Sequence, residues 1–467
     1  MLFSSPIFLL VFLPLVLLVY YLPLRGCRVA QNVFLLLASL GFYAWGEPWF
    51  VLVMLGSIAV NWLLGLWMGQ TVAGTRPRRL ATFLTAAFNL SILFIFKYLT
   101  FTLSSLRAAL GAGFAVPQIA LPIGISFFTF QAMSYVLDIG RGRAPAQKNP
   151  LWVGLYISFF PQLIAGPIVK YETVAAEIRD RRENWDDFSA GTCRFAVGFA
   201  KKVLLANTLA VAADTAFGAA GLSVGLAWLG SFAYTFQIFF DFSGYSDMAI
   251  GLGQMFGFHF LENFNYPYIS RSVTEFWRRW HISLSTWFRD YVYFPLGGSR
   301  VNSRGRHLFN LFVVWLLTGI WHGANWTFLC WGLYYFALLA LEKTLGLDKR
   351  GLTCWRILPT FLLVNFGWVL FRAESLPAAA RFLAAMAGVG AEGFWSGAAT
   401  AVLRDNRVIF AGALLFSTPF AKWLGARRWT RGVWGSVLYV AGLLAAALLA
   451  FAYIAKGAYN PFIYFNF

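Results

Sequence analysis

Apolar runs of bilayer-crossing character begin at once in this chain, over residues 6–24, 33–45 and 50–68. A hydrocarbon layer about 30 Å thick takes roughly 20 apolar residues as a helix, and it offers backbone N–H and C=O groups no water to bond. Repeated runs of this kind therefore confine the chain to membrane helices. Composition agrees, with 59% hydrophobic, 19% aromatic and only 12% charged residues, which excludes an ordinary soluble globular domain. The fold class is an all-α polytopic membrane protein. The first run reads as a retained span, since no basic region precedes it and no small-residue cleavage site closes it.

Lysine and arginine number 37 against 19 acidic residues, a net charge of +18. In a membrane chain that excess belongs to cytoplasmic loops facing anionic lipid rather than to nucleic-acid binding; attraction of a polyanionic substrate is the alternative for part of it. Arg25 and Arg28 follow the first span, the Gly46-Glu47-Pro48 turn follows the second, and Arg76, Arg78 and Arg79 follow the third. Arg427, Arg428 and Arg431 precede the last span, about 433–453. This alternation puts both termini outside, with Lys97 and Arg107 as exceptions to it. Cys27, Cys193, Cys330 and Cys354 are scattered without metal or redox spacing and read as structural thiols.

Residues 151–169 break the regular pattern. Phe160-Pro161 and Gly166-Pro167 interrupt the apolar run, and basic residues (Arg141, Arg143, Lys148; Lys170, Arg179, Arg181, Arg182) flank both ends. That favours a re-entrant or broken helix, with a kinked ordinary span as the other reading. His322 lies in a similar run, between Arg304 and Arg306 on one side and Lys343, Lys349 and Arg350 on the other, with Gly319 and Gly323 bracketing it. An ionisable group at such depth is a functional candidate, here near the apex of a hairpin; a ring that only fixes helix packing is the structural alternative.

Residues 272–293 mix Trp277, Trp280, Trp287 and Phe288 with Arg278, Arg279, Arg289 and Glu275, around His281. The pattern suits an interfacial helix with aromatics at headgroup depth, whose Arg278, Arg279 and Arg289, with Trp277, hold the phosphates of a nucleotide-like cofactor or else lipid headgroups. Asp241, Ser243, Ser246 and Asp247 around Gly244 form a third polar island, lining a water-filled passage or serving local turns. Asn325, in Trp321-His322-Gly323-Ala324-Asn325, joins the polar lining. His259 and His307 read as ordinary packing or solvated histidines.

The opening Met1-Leu2-Phe3-Ser4-Ser5, the segments 121–127 and 161–167, the Asp241 island, the stretch through His281 and Trp321-His322-Gly323-Ala324 together resemble the bacterial alginate O-acetyltransferase branch of the membrane-bound O-acyltransferase superfamily. The resemblance runs nearly end to end. It implies a core of roughly eleven spans with re-entrant helices around a central tunnel, divided as N-terminal transmembrane helices (1–110), catalytic core (111–346) and C-terminal helices with a tail (347–467). It also implies an acetyl-coenzyme A donor, no metal, and catalytic His322 and His281. His322 is then the general base, with a histidine nucleophile as the variant mechanism. The tail 462–467, of pattern F-x-Y-x-x-F, resembles an acyl-transfer motif whose tyrosine, Tyr464, would carry the acetyl group to an extracytoplasmic SGNH-hydrolase-like partner; an aromatic interfacial anchor is the other reading. The expected activity is O-acetylation of an extracytoplasmic polysaccharide, with alginate leading and cellulose, peptidoglycan or another exopolysaccharide as alternatives. The expected site is the bacterial inner membrane. A polysaccharide transporter would carry paired repeats with matching interruptions, and none is evident. A non-catalytic scaffold would need neither histidine.

Overall fold

The computed structural model describes residues 1–111, 113–347, 353–427, 432–457 and 459–463. Lys349, Arg350, Arg428, Arg431 and Tyr464, singled out from the sequence, lie outside the described residues. Every regular element among those described is helical. Five helices are long and apolar enough to cross a membrane: Phe50–Gln70, Arg76–Leu110, Trp185–Phe217, Cys354–Arg372 and Val433–Ala455. The apolar helices Phe8–Tyr21 and Arg28–Ala44 are shorter.

The chain divides into two compact units, one of Met1–Phe195 with Ser246–Leu261, the other of Ala196–Tyr245 with Glu262–Phe467. In the first unit, helices approach through small and polar residues, as expected where lipid supplies no hydrophobic drive between them. A Cβ on Gly65 would come within 2.3 Å of the Tyr135 ring. Buried Asn61 and Asn89 bond to each other's carbonyl oxygens at 3.1 and 2.7 Å. Lys97, which stood outside the loop alternation, is no loop charge at all: it is buried within Arg76–Leu110, its Nζ 3.1 Å from Ser126 Oγ. Arg28 sits 2.5 Å from Glu183 in an ion pair.

The 151–169 segment is broken rather than kinked. Helix Pro150–Ser158 stops at Phe159, a short turn Phe160–Leu163 follows, and the chain then runs without helix to Lys170. Nine helical residues rise roughly 14 Å, less than half the hydrocarbon layer. Protein satisfies polar groups at the break: the Phe160 N–H donates to Ser39 Oγ (3.1 Å), Gln162 Nε2 to the Tyr156 carbonyl (2.6 Å) and Tyr156 Oη to the Val169 carbonyl (2.8 Å).

The second unit contains the helices labelled here α1 (Val224–Met255, which extends beyond it), α2 (Val273–Arg279), α3 (Ile282–Phe288), α4 (Arg304–His322), α5 (Trp326–Thr344) and α6 (Ile357–Arg372). α4 and α5 form a hairpin that closes backbone to backbone. A Cβ on Gly319 would meet the Phe328 carbonyl oxygen at 2.6 Å, and one on Gly332 the Trp315 carbonyl oxygen at 2.5 Å. Glu342, near the end of α5, caps α2 by accepting from the N–H groups of Val273 (2.7 Å) and Thr274 (2.9 Å), where a carboxylate offsets the positive end of the helix.

Two expectations are corrected here. Residues 272–293 are not one interfacial helix: α2 and α3 are separated at Trp280-His281, and Trp277, Trp280, Trp287 and Phe288 are all buried. Trp277 packs edge-on against Trp315 (4.7 Å), and Trp280 lies tilted against Trp368 (4.8 Å). Large rings gain more by burying their full area against one another than by resting at a headgroup layer. The Asp241 island, in turn, has no irregular backbone, because it lies within the continuous helix α1. Gly244 serves close helix approach rather than a turn, since a Cβ there would meet the Gly198 carbonyl oxygen at 2.8 Å.

Candidate functional site

His322 is the last residue of α4, where Gly323 turns the chain to extended backbone before Asn325 caps α5. The ring is 3% exposed and stands edge-on to Trp331 (4.9 Å), Trp321 (5.0 Å) and Phe371 (5.2 Å). Gly323 makes the turn possible, as a Cβ there would strike the Phe328 ring at 2.2 Å. Asn325 holds the turn from both sides, its Oδ1 accepting from the Thr327 N–H (3.1 Å) and its Nδ2 donating to the Glu374 carbonyl (3.0 Å).

His281 reaches the same aromatic wall from the break between α2 and α3, its ring 6.0 Å from Trp321 and 4.6 Å from Phe242. The sequence pattern assigns the two histidines to different environments; the structure brings both against one indole. His281 has left-handed backbone (φ 44°), a conformation costly for a side-chain-bearing residue and one often held at functional sites. Two backbone bonds hold it, Asn265 N–H to the Arg279 carbonyl (2.9 Å) and Ile282 N–H to the Asn263 carbonyl (3.0 Å).

Asn263 also sets the tautomer. Its Oδ1 accepts from the Ser283 N–H at 3.2 Å, which identifies that atom as the oxygen, and it lies 3.1 Å from His281 Nδ1. Nδ1 must then carry the proton, leaving the lone pair on Nε2, which is buried and has no hydrogen-bond partner among the described residues. A neutral imidazole with an open lone pair is a proton acceptor in waiting.

A cavity of about 550 Å³ adjoins this wall, lined in part by Phe328, Phe371 and residues 459–463. Tyr234, Gln237 and Thr327 also line it, and each has a buried side-chain oxygen without a hydrogen-bond partner among the described residues. Those three oxygens lie buried behind the cavity surface, whose polar lining includes Asp214, Asn325, Arg372 and Glu374. Arg372 and Asp214 form an ion pair at its edge (2.7 Å), and Tyr459 Oη donates to Asp214 (3.1 Å).

The remaining candidates are dispersed. Asp241 is buried in an ion pair with Lys202 (2.7 Å), and Ser243 is buried beside it on α1. Ser246 and Asp247 belong to the first unit, where Asp247 pairs with Arg194 (3.0 Å). Arg279 pairs with Glu275 (2.7 Å) and Arg289 with Asp290 (2.8 Å); Arg278 and Arg289 are exposed and Arg279 is half-buried. Trp277 belongs to the aromatic core rather than to an exposed phosphate-binding surface. His259 bonds to Glu177 (2.9 Å) and Asp187 (3.3 Å), and His307 to Tyr293 Oη (3.0 Å). Among the described residues no group of three or more His, Cys, Asp or Glu is placed to hold a metal ion. Sequence reasoning missed Lys202 and Glu342 and gave Asn263 no role. A lysine inside an apolar helix was the available signal for Lys202.

The family model described as MBOAT, membrane-bound O-acyltransferase family, matches residues 40–376. A probable alginate O-acetylase AlgI of Pseudomonas putida is 42% identical over 496 aligned positions that span all of both chains. The protein of that name from Pseudomonas aeruginosa is 46% identical over 396 positions, 84% of this chain and 75% of the relative. A peptidoglycan O-acetyltransferase of Helicobacter pylori is 36% identical over 426 positions, 83% of this chain and 80% of the relative.

Proposed function

Because the chain belongs to the membrane-bound O-acyltransferase family, we propose that it passes acetyl groups from cytoplasmic acetyl-coenzyme A across the bacterial inner membrane for O-acetylation of an extracytoplasmic polysaccharide, alginate. The enzyme is a multi-pass membrane O-acyltransferase. The observation that carries the reaction chemistry is the meeting of His322 and His281 on Trp321, beside a cavity with a partly polar lining. The choice of alginate rests on the likeness to alginate O-acetylases at 42 and 46% identity, against 36% for the peptidoglycan relative.

In this reading His322 takes the proton from an acceptor hydroxyl as its oxygen attacks the thioester carbonyl. The C–O bond forms, the C–S bond breaks, and the departing sulfur receives that proton to leave as the thiol. His281, fixed with its lone pair on Nε2, serves as a second proton acceptor in the same relay. Exposed Arg278 is the best-suited of the three arginines for donor phosphates, since Arg279 and Arg289 already face carboxylates. Tyr464 would carry the acetyl group outward to an SGNH-hydrolase-like partner, which completes transfer to the polymer.

Expression in an alginate-producing strain that lacks its own O-acetylase tests the assignment. Ester-linked acetate should return to the purified alginate with the wild-type chain and not with Tyr464→Phe. Alginate that stays unacetylated while the protein accumulates in the membrane and consumes acetyl-coenzyme A would move the assignment to another polymer.

A further inference from the structure

We propose that Lys202 and Asp241 are positioning residues whose buried ion pair clasps residues 460–463 and so sets the register of the tail against the cavity beside His322; this rests on the acetyl-transfer reading above. Both side chains are 2% exposed and meet at 2.7 Å. A buried ion pair contributes little stability of its own, because desolvation of both charges offsets their attraction, and its remaining lone pairs and N–H groups must also find partners. Here those remaining groups turn to a single segment. Lys202 Nζ donates to the Pro461 carbonyl and to Asn207 Oδ1 (2.7 Å), and Asn207 Nδ2 donates to Asn460 Oδ1 (3.0 Å). Asp241 Oδ2 accepts from the Ile463 N–H (2.9 Å).

Between those two backbone contacts, Phe462 packs on Tyr245 (4.8 Å), with the Lys202 ammonium 5.8 Å from its ring. The positive partner takes a carbonyl and the negative partner an N–H two residues on, so the pair reads backbone polarity as well as position. A slip of the segment by one residue would break both bonds and expel Phe462 from its seat. The clasped residues also form part of the cavity lining with Phe328 and Phe371, whose rings pack at 4.9 Å beside His322. Tyr464 is joined to Ile463 by the next peptide bond, so a register fixed at 463 limits where a carried acetyl group can go.

The test pairs Lys202→Met with Asp241→Asn, which removes both charges together and leaves neither buried alone. In full-length protein in nanodiscs, with its native cysteines changed to serine and Ile463→Cys added at the buried clasped position, maleimide labelling should become about tenfold faster in the double variant. Acetyl label from radiolabelled acetyl-coenzyme A on the Tyr464 peptide should fall on the order of a hundredfold while donor affinity is unchanged, and Lys202→Arg alone, with Asp241 kept, should retain most of it. Unchanged labelling rate in the folded double variant overturns the clasp, as does loss of acetyl transfer with no change in tail accessibility. If wild-type Tyr464 never acquires acetyl, the carrier reading fails by itself, and the maleimide rates still decide the clasp. Should the double variant not fold, Asn207→Ala removes one tail contact and should give a smaller increase in labelling; an unchanged rate there counts against the clasp.

Discussion

His322 and His281 divide the burden at the residue scale, the first held by rings on three sides and the second packed on Phe242 and oriented through Nδ1 by the Asn263 amide oxygen. His322→Ala should lower acetyl transfer by about 10²–10⁴-fold, measured as acetate delivered per enzyme, with a preserved thermal transition showing that the fold survives. Asn263→Ala frees the His281 tautomer and should lower kcat by about 10–100-fold while leaving the KM for donor nearly unchanged, as loss of an orienting partner does; a change in KM alone would contradict that role. His259 offers a pH test away from the site. Burial alone would lower its pKa, but the Glu177 hydrogen bond and the charges of Glu177 and Asp187 outweigh it, and the net shift is upward from 6.5. Its contribution is therefore full below pH 6.5 and fades as pH rises through the folded value. Because the ring is 49% exposed, the contribution is screened to roughly 0.5 kcal/mol. His259→Ala should lower Tm slightly at pH 6 and hardly at all at pH 9. His322 was legible in the sequence because an ionisable group in an apolar run stands out. The role of Asn263 was not, because only the fold brings its side chain beneath His281.

Elements explain which parts of the sequence reading succeeded. Pro161 and Gly166 interrupt an apolar run, and the broken segment they implied is there, since proline removes a donor whatever the tertiary setting. Gly244 carried a similar signal with the opposite meaning, because close packing between helices and a turn both require a missing Cβ. The aromatic pattern around His281 was ambiguous for a related reason: tryptophan beside arginine suits a headgroup layer, yet here the rings had Trp315 and Trp368 to bury against. The α4–α5 hairpin depends on Gly319 and Gly332. Gly332→Leu should therefore cost about 1–3 kcal/mol and lower both Tm and acetyl transfer, because it separates α5 from α4 and tilts Trp331 away from His322. A substitution of similar size on the exposed side of α5 should do neither, which calorimetry of both variants in detergent would show.

For the whole molecule, a multi-pass membrane acyltransferase must present one side to its acyl donor, and the loop charges predict which side faces the proposed cytoplasmic acetyl-coenzyme A. Exposed Cys27 and Cys354 both lie near loops assigned to the cytoplasm. An impermeant maleimide should leave them unlabelled in intact spheroplasts and label them after permeabilisation; labelling without permeabilisation would reverse the proposed orientation. A count of roughly eleven spans remains a proposal beside the five helices that qualify by length and hydropathy among the described residues. Helices such as α4 and α5 carry polar ends and buried functional groups that lower their apolarity, so a count by composition runs short where the chemistry lies. The most direct test of the central claim is to give purified protein radiolabelled acetyl-coenzyme A in nanodiscs, then quench, digest and locate the acetyl group. The account predicts label on the C-terminal peptide that disappears in both His322→Ala and Tyr464→Phe. Label that persists at full level in His322→Ala would contradict it.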